Sequence, residues 1–172
     1  LASLRAAVGV IQQDSFIFTS ALEKNVAYGD PWAERERIEA AASSAELDTY
    51  IRQLPFGYDT LVGERGVSLS GGQRQRLSIA RSVMLRPPIM VFDDSTAAID
   101  AGTEQRIRKA LKNITKQSAT IIIAHRLSSL MHATEIIFLE SGRIIERGNH
   151  DNLLATGGKY ADLYNLQTQS NS

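Results

Sequence analysis

"VSLSGGQRQRLSIAR", residues 67–81, decides how the chain is read. Ser70 stands where a helix N-cap belongs, Gly71 and Gly72 follow without side chains, and Gln73 opens a helix that runs until Pro87-Pro88 stops it. The first amides of a helix have no acceptor within it, and they lie at the positive end of the macrodipole. A bare Ser-Gly-Gly mouth therefore suits an anion. An ordinary capped helix with solvated arginines fits the stretch as well, and both readings stand at this point.

The surrounding composition narrows the field. With 172 residues the chain can build one domain with a sizeable core. Its 19 basic and 19 acidic residues cancel, so no global field draws it to nucleic acid or to an anionic membrane. It has no cysteine, which excludes disulfides and thiolate metal sites and suits a reducing compartment. The longest aliphatic runs, such as Ile121-Ile122-Ile123, are far too short to span a bilayer, and no secretory signal pattern is present. The expectation is a soluble, cytosolic domain.

Working outward, Val8 to Ile11 reads as a strand with no room for an element before it. Asp30-Pro31 has N-cap and N1 character for a helix through "AERERIEAAASSAEL", breaking near Ser43-Ser44, and a second short helix covers Glu46 to Gln53. "FGYDTLVGERG" is loop-like. "IMVF", ending in Asp93-Asp94, and "ATIIIAH", ending at His125, suit strands buried on both faces of a sheet. Between them, Ile107, Leu111 and Ile114 recur at helical spacing. "EIIFLESGRIIERG" is a hairpin candidate turning at Ser141-Gly142, and the tail around Leu153, Leu154, Tyr160, Leu163 and Leu166 reads as an amphipathic helix. Helices alternating with buried strands predict an α/β domain with a mainly parallel sheet, whose ligands sit outside the carboxyl ends of the strands.

Asp93, Asp94 and His125 end the two apolar strands, where such a ligand would lie. Carboxylates near a core cost free energy unless paired or coordinated, and Mg²⁺ takes one or two of them together with phosphate and water. Asp93 would hold the metal directly or through water, and Asp94 would orient or activate a water. The pair could equally cap the following turn. His125 could hydrogen-bond a terminal phosphate or serve as a structural histidine. Gln13, after the first strand, could be a neutral oxygen ligand or a plain surface glutamine.

Taken together, "VGVIQQD", "LSGGQ", "IMVFDD", "STAAID" and "IIIAHR" occur in an order that closely resembles the nucleotide-binding domain of ATP-binding-cassette transporters, over essentially the whole chain. The resemblance implies a P-loop NTPase-like (RecA-like) α/β core with a helical signature subdomain. It places that subdomain at about residues 14–86 and the remaining core with C-terminal helices at about 87–172. Gln13 falls at the Q-loop glutamine, Asp93 at the Walker B aspartate, Asp100 at the D-loop aspartate and His125 at the switch histidine. In that family two domains dimerise head to tail around two ATP molecules with Mg²⁺. The signature of one protomer meets the γ-phosphate of ATP held by the other, so Ser70, Gly71 and Gly72 would donate to phosphate with Gln73 beside them.

Two departures stand out. No Gly-x-x-x-x-Gly-Lys-[Ser/Thr] occurs in the 172 residues; "GGKY" at 157–160 lacks both the leading glycine and the hydroxyl residue. That loop supplies the amides and lysine for the β/γ-phosphates. The expectation is therefore the C-terminal part of a cassette domain, truncated at its N-terminus, with little or no ATP binding alone and an open part of the core that another chain would cover. Second, Asp94 stands where the family usually has glutamate. The side chain is one methylene shorter, and a displacement of roughly 1 Å can cost on the order of 10²-fold in rate. Slow hydrolysis at this site beside an intact LSGGQ fits one half of a heterodimer, and a homodimer that tolerates aspartate is the alternative.

"LVGERGVSLSGGQ" and the closing "GRIIERGNHDNLLATGGKYADLYNLQ" resemble exporter cassettes. Glu64 and Arg65 would then face the transmembrane part, as would the Gln13 loop, and the domain would sit at the cytoplasmic face of the cell membrane. A cassette ATPase of DNA repair or chromosome maintenance shares the signature, but the chain has neither sustained heptads nor a positive balance.

Overall fold

The structure, a computed structural model, describes residues 2–12, 16–64, 66–93, 99–114, 118–124 and 126–169. These fall into two compact units, residues 1–123 and 124–172, each with its own apolar core.

The first unit is built on a three-stranded parallel sheet of β1 (Val8–Ile11), β4 (Ile89–Asp93) and β5 (Ala119–Ile123), in the order β1-β4-β5. The register pairs Ile11 with Phe92 and Phe92 with Ile122, so all three strands leave the sheet at one edge. Gly9 is required where β1 meets the entry to β4, because a Cβ there would lie 2.6 Å from Pro87 Cγ. A two-stranded antiparallel ribbon, β2 (Ser20–Ala21) with β3 (Leu61–Val62), lies farther along the chain.

Between β1 and β4 the chain makes α2 (Leu22–Val26), α3 (Arg35–Ser44), α4 (Asp48–Gln53) and the long α5 (Gly71–Leu85). α5 forms because Ser70 caps it and because Leu77, Ile79, Ala80, Val83 and Met84 give it one apolar face, all buried against the core. Arg86, in the left-handed region at φ 45°, ends it before Pro87. α6 (Ala101–Ile114) crosses from β4 to β5 and buries Ile107 and Leu111 in the same core.

Local expectations are corrected, among them the start of α4, which lies at Asp48 because Glu46 takes the left-handed region. A short helix, α1 (Ala2–Ala7), precedes β1. α3 begins at Arg35, because Asp30 and Pro31 lie in a turn closed by the Ala33 N–H to Asp30 carbonyl bond, and the Asp30 carboxylate is spent on Arg37 at 2.8 Å. The apolar strands are not buried on both faces. Ile121 and Ile123, which share one face of β5, are each about half exposed, and Ile122 on the other face is exposed too, so the described residues cover neither face of β5 fully.

The second unit holds the hairpin of β6 (Ile136–Glu140) and β7 (Arg143–Gly148), whose turn takes positive φ at both Ser141 and Gly142, as a type I′ turn needs. The tail is two helices, not one: α7 (His150–Thr156) and α8 (Lys159–Gln169), separated at Gly157 with φ 67°. The Glu146 carboxylate accepts from the Lys159 and Tyr160 amides and so caps α8 from the neighbouring strand. Tyr160 is fully buried, with its hydroxyl 2.8 Å from His150 Nδ1. No described helix is long and apolar enough to cross a membrane.

Candidate functional site at the mouth of the signature helix

Leu69 is buried and anchors the turn, whereas Ser70, one residue on, is exposed. Ser70 Oγ accepts from the Gln73 amide at 3.3 Å, and Gln73 Oε1 accepts from the Ser70 amide at 2.8 Å, a capping box that fixes the entry to α5. The expectation that Ser70, Gly71 and Gly72 all donate to phosphate is thereby narrowed, because the Ser70 amide is taken by Gln73. The two ends of the turn are satisfied internally. The amides of Gly71 and Gly72 are the ones left without an acceptor among the described residues, together with the hydroxyl hydrogen of Ser70. The first turn of α5 carries no acidic residue.

The arginines are not a solvated stripe. Arg74 Nη1 donates to the Leu69 carbonyl at 2.6 Å, which holds the residue before the cap. Arg76 donates to the carbonyls of Gly72 (3.3 Å) and Glu46 (2.7 Å). Arg81 donates to the Phe16 and Asn25 carbonyls and to Asn25 Oδ1, and its guanidinium lies over the Phe18 ring at 5.3 Å. Asn25 is fully buried and also ties down Phe18, Ser20 and Ala21 by their backbone groups. Removing Arg81 would strand several carbonyls at once.

Asp100 caps α6, its Oδ1 accepting from the Thr103 amide at 2.9 Å. The Thr103 backbone and side-chain donors hold this exposed carboxyl below the usual carboxylate range. Burial draws the Arg76 guanidinium's pKa down, and the negative charges of Asp100 and Glu46 oppose that.

Asp93 is the last residue of β4, exposed and in register with Ile123, the last of β5. Gln13, Asp94 and His125, and Arg65 of the exporter-like segment, lie outside the described residues; Glu64 is exposed. No group of three or more His, Cys, Asp or Glu side chains among the described residues is placed to hold a metal ion. The Asp93 carboxylate at the strand end suits Mg²⁺ bound with phosphate oxygens and water.

A cavity of about 320 Å³ opens between β1 and α5, lined by Val10, Phe16, Phe18, Tyr28, Arg81 and Leu85 among others. Phe18 stacks on Tyr28 at 4.2 Å and meets Phe16 edge-on at 5.0 Å. The sequence offered no periodic signal for this aromatic group, which assembles from a loop and the turn after α2.

The sequence model of the family described as ABC transporter matches residues 1–97, more than half of the chain. The chain belongs to the ABC transporter family. Over 167 residues it is 49% identical to the ABC transporter ATP-binding protein YknU of Bacillus subtilis (strain 168), and 48% identical to an ATP-dependent lipid A-core flippase of Legionella pneumophila (strain Paris). Each alignment covers 97% of this chain and 28% of the relative, so the chain spans little more than a quarter of the length of the ABC proteins it matches. The structure of a bacterial Atm1-family ABC exporter with ATP bound superposes with a TM-score of 0.92 at 44% identity, covering 96% of this chain and 29% of that one. The α/β fold with a parallel sheet and the exporter-type resemblance are those expected from the motifs.

Proposed function

We propose that this ABC chain works as part of an ATP-driven export motor, its α5 mouth completing a nucleotide site whose other half belongs to a second cassette. The observation that carries this reading is the exposed capped turn in which the Gly71 and Gly72 amides remain available while their neighbours are locked by the capping box. Two amides and a hydroxyl, aimed from the positive end of a 15-residue helix, provide donors for a terminal phosphoryl group. Asp100, tied to that helix through Thr103, Arg106, Glu46 and Arg76, would lie at the seam between the two cassettes.

Asp93 would hold Mg²⁺ with phosphate and water, and Asp94, His125 and Gln13 follow the strand ends where the attacking water would be oriented. Binding of two ATPs would close the pair of cassettes. The closure would pass to a transmembrane part through the Gln13 loop, the Glu64-Arg65 segment and the aromatic cavity beside β1. Differential affinity of nucleotide for the closed state is what couples binding to movement.

The test is Gly72→Asp in the assembled transporter. A carboxylate there meets the phosphate with like charge and takes up the helix mouth, and ATP turnover is expected to fall at least about 10²-fold. Wild-type turnover would defeat the reading. At position 94, Asp94→Glu in a pair of identical cassettes is expected to raise turnover on the order of 10²-fold. Equal rates would remove the argument for an unlike, more competent partner.

A further inference from the structure

Glu46 occupies the corner between α3 and α4 with its backbone in the left-handed region, φ 56°, where a residue with a side chain is strained. Two arginines from different elements meet it there. Arg76 of α5 donates to its carbonyl oxygen at 2.7 Å and to the Gly72 carbonyl at 3.3 Å. Arg106 of α6 donates through Nε to its carboxylate at 2.9 Å and through Nη2 to Thr103 Oγ1 at 2.8 Å, and the Thr103 amide in turn binds Asp100. An unbroken series of hydrogen bonds thus runs from the Gly72 carbonyl to the Asp100 carboxylate, with Glu46 at its centre.

We propose that Glu46 is a positioning residue that fixes the glycine amides of the α5 mouth relative to Asp100, so that both present themselves correctly to nucleotide on a second cassette. The inference rests on the phosphate reading of the α5 mouth and adds to it. The two elements come from separate parts of the chain, and a helix mouth displaced by a fraction of an ångström loses hydrogen bonds to a bound phosphate. An ordinary corner residue would need neither arginine. The left-handed backbone belongs to a Schellman cap on α3, the Leu47 amide donating to the Ala42 carbonyl and the Glu46 amide to the Ser43 carbonyl, and it leaves the Glu46 carbonyl to Arg76 of α5 and its carboxylate to Arg106 of α6.

The experiment measures ATP turnover by the assembled, membrane-embedded transporter. Glu46→Gln and Arg106→Gln each remove the ion pair and keep hydrogen-bonding capacity. Each is expected to raise KM for ATP roughly two- to fivefold with kcat little changed, the size of one partly exposed ion pair. The double variant should be no worse than either single one, because both act through the same contact. Arg106→Lys, which keeps the charge, should restore part of the affinity. Arg106 lies on the exposed side of α6, so its variants carry the test should Glu46→Gln fail to fold. A lowered melting temperature with unchanged KM, or additive effects of the two variants, would overturn the proposal. Gly72→Asp separates the layers: if it abolishes turnover while the Glu46 and Arg106 variants are silent, the positioning role alone fails; if it too is silent, the phosphate reading fails with it.

Discussion

The mouths of α5 and α7 use the same device to different ends. Ser70 and Asn149 each accept from the amide three residues on, so both helices are properly capped. Beyond the cap they diverge. α7 begins His150-Asp151-Asn152 and supplies its own carboxylate to the first turn, whereas α5 begins Gly71-Gly72-Gln73 and supplies none. α6 resembles α7, being capped by Asp100 and carrying Glu104 in its first turn. A helix mouth that answers its own dipole is structural. One that is capped and then left bare keeps its positive end open, which is what the proposed phosphate site at α5 requires.

The strongest way to break that contrast is to make α5 like α7. Gly72→Asp should abolish turnover, and its counterpart, Asp151→Asn, should leave turnover alone and cost the second unit no more than about 1 kcal/mol. A loss of turnover from Asp151→Asn would erase the distinction. Next in size, Ser70→Ala and Asn149→Ala should each lower stability by about 1 kcal/mol, read from urea midpoints. Of the two, only Ser70→Ala should also weaken ATP affinity. Smallest is an effect of pH on the α6 mouth. The Asp100 carboxyl is depressed in the folded protein by its bonds from Thr103, so its contribution is present above the ordinary aspartate value of about 3.9 and fades as pH falls through the folded value. Protection of the Thr103 amide from exchange should therefore persist through the ordinary aspartate range and drop only below it. The Gln73 and Asn152 amides, whose caps do not titrate, should keep theirs.

Much of this was legible in the sequence because it is local. Ser-Gly-Gly-Gln specifies its cap within four residues, and Ser141-Gly142 specifies its hairpin within two. The misplaced start of α3 shows where local rules fail: Asp30-Pro31 has the right chemistry for a helix start, but Arg37 claims the carboxylate first. The Gly157-Gly158 pair did announce the break between α7 and α8, and leucine spacing across it concealed the signal. The array around Glu46 was not legible at all. Its arginines stand 30 and 60 positions away, and nothing in the spelling of "SSAELD" says that the corner will be left-handed. Nor does an apolar run such as "TIII" reveal whether anything lies over it.

That last point has a practical side. Among the described residues β5 has no pairing strand along its outer margin, and isoleucines half in water flank it. Such a margin is sticky toward any extended polypeptide, including a sibling molecule, and ordinary solubility from 38 charged side chains does not shield it. Handled by itself at high concentration, the chain should form assemblies whose size grows with time, and a lysine or proline placed along that strand should slow their growth.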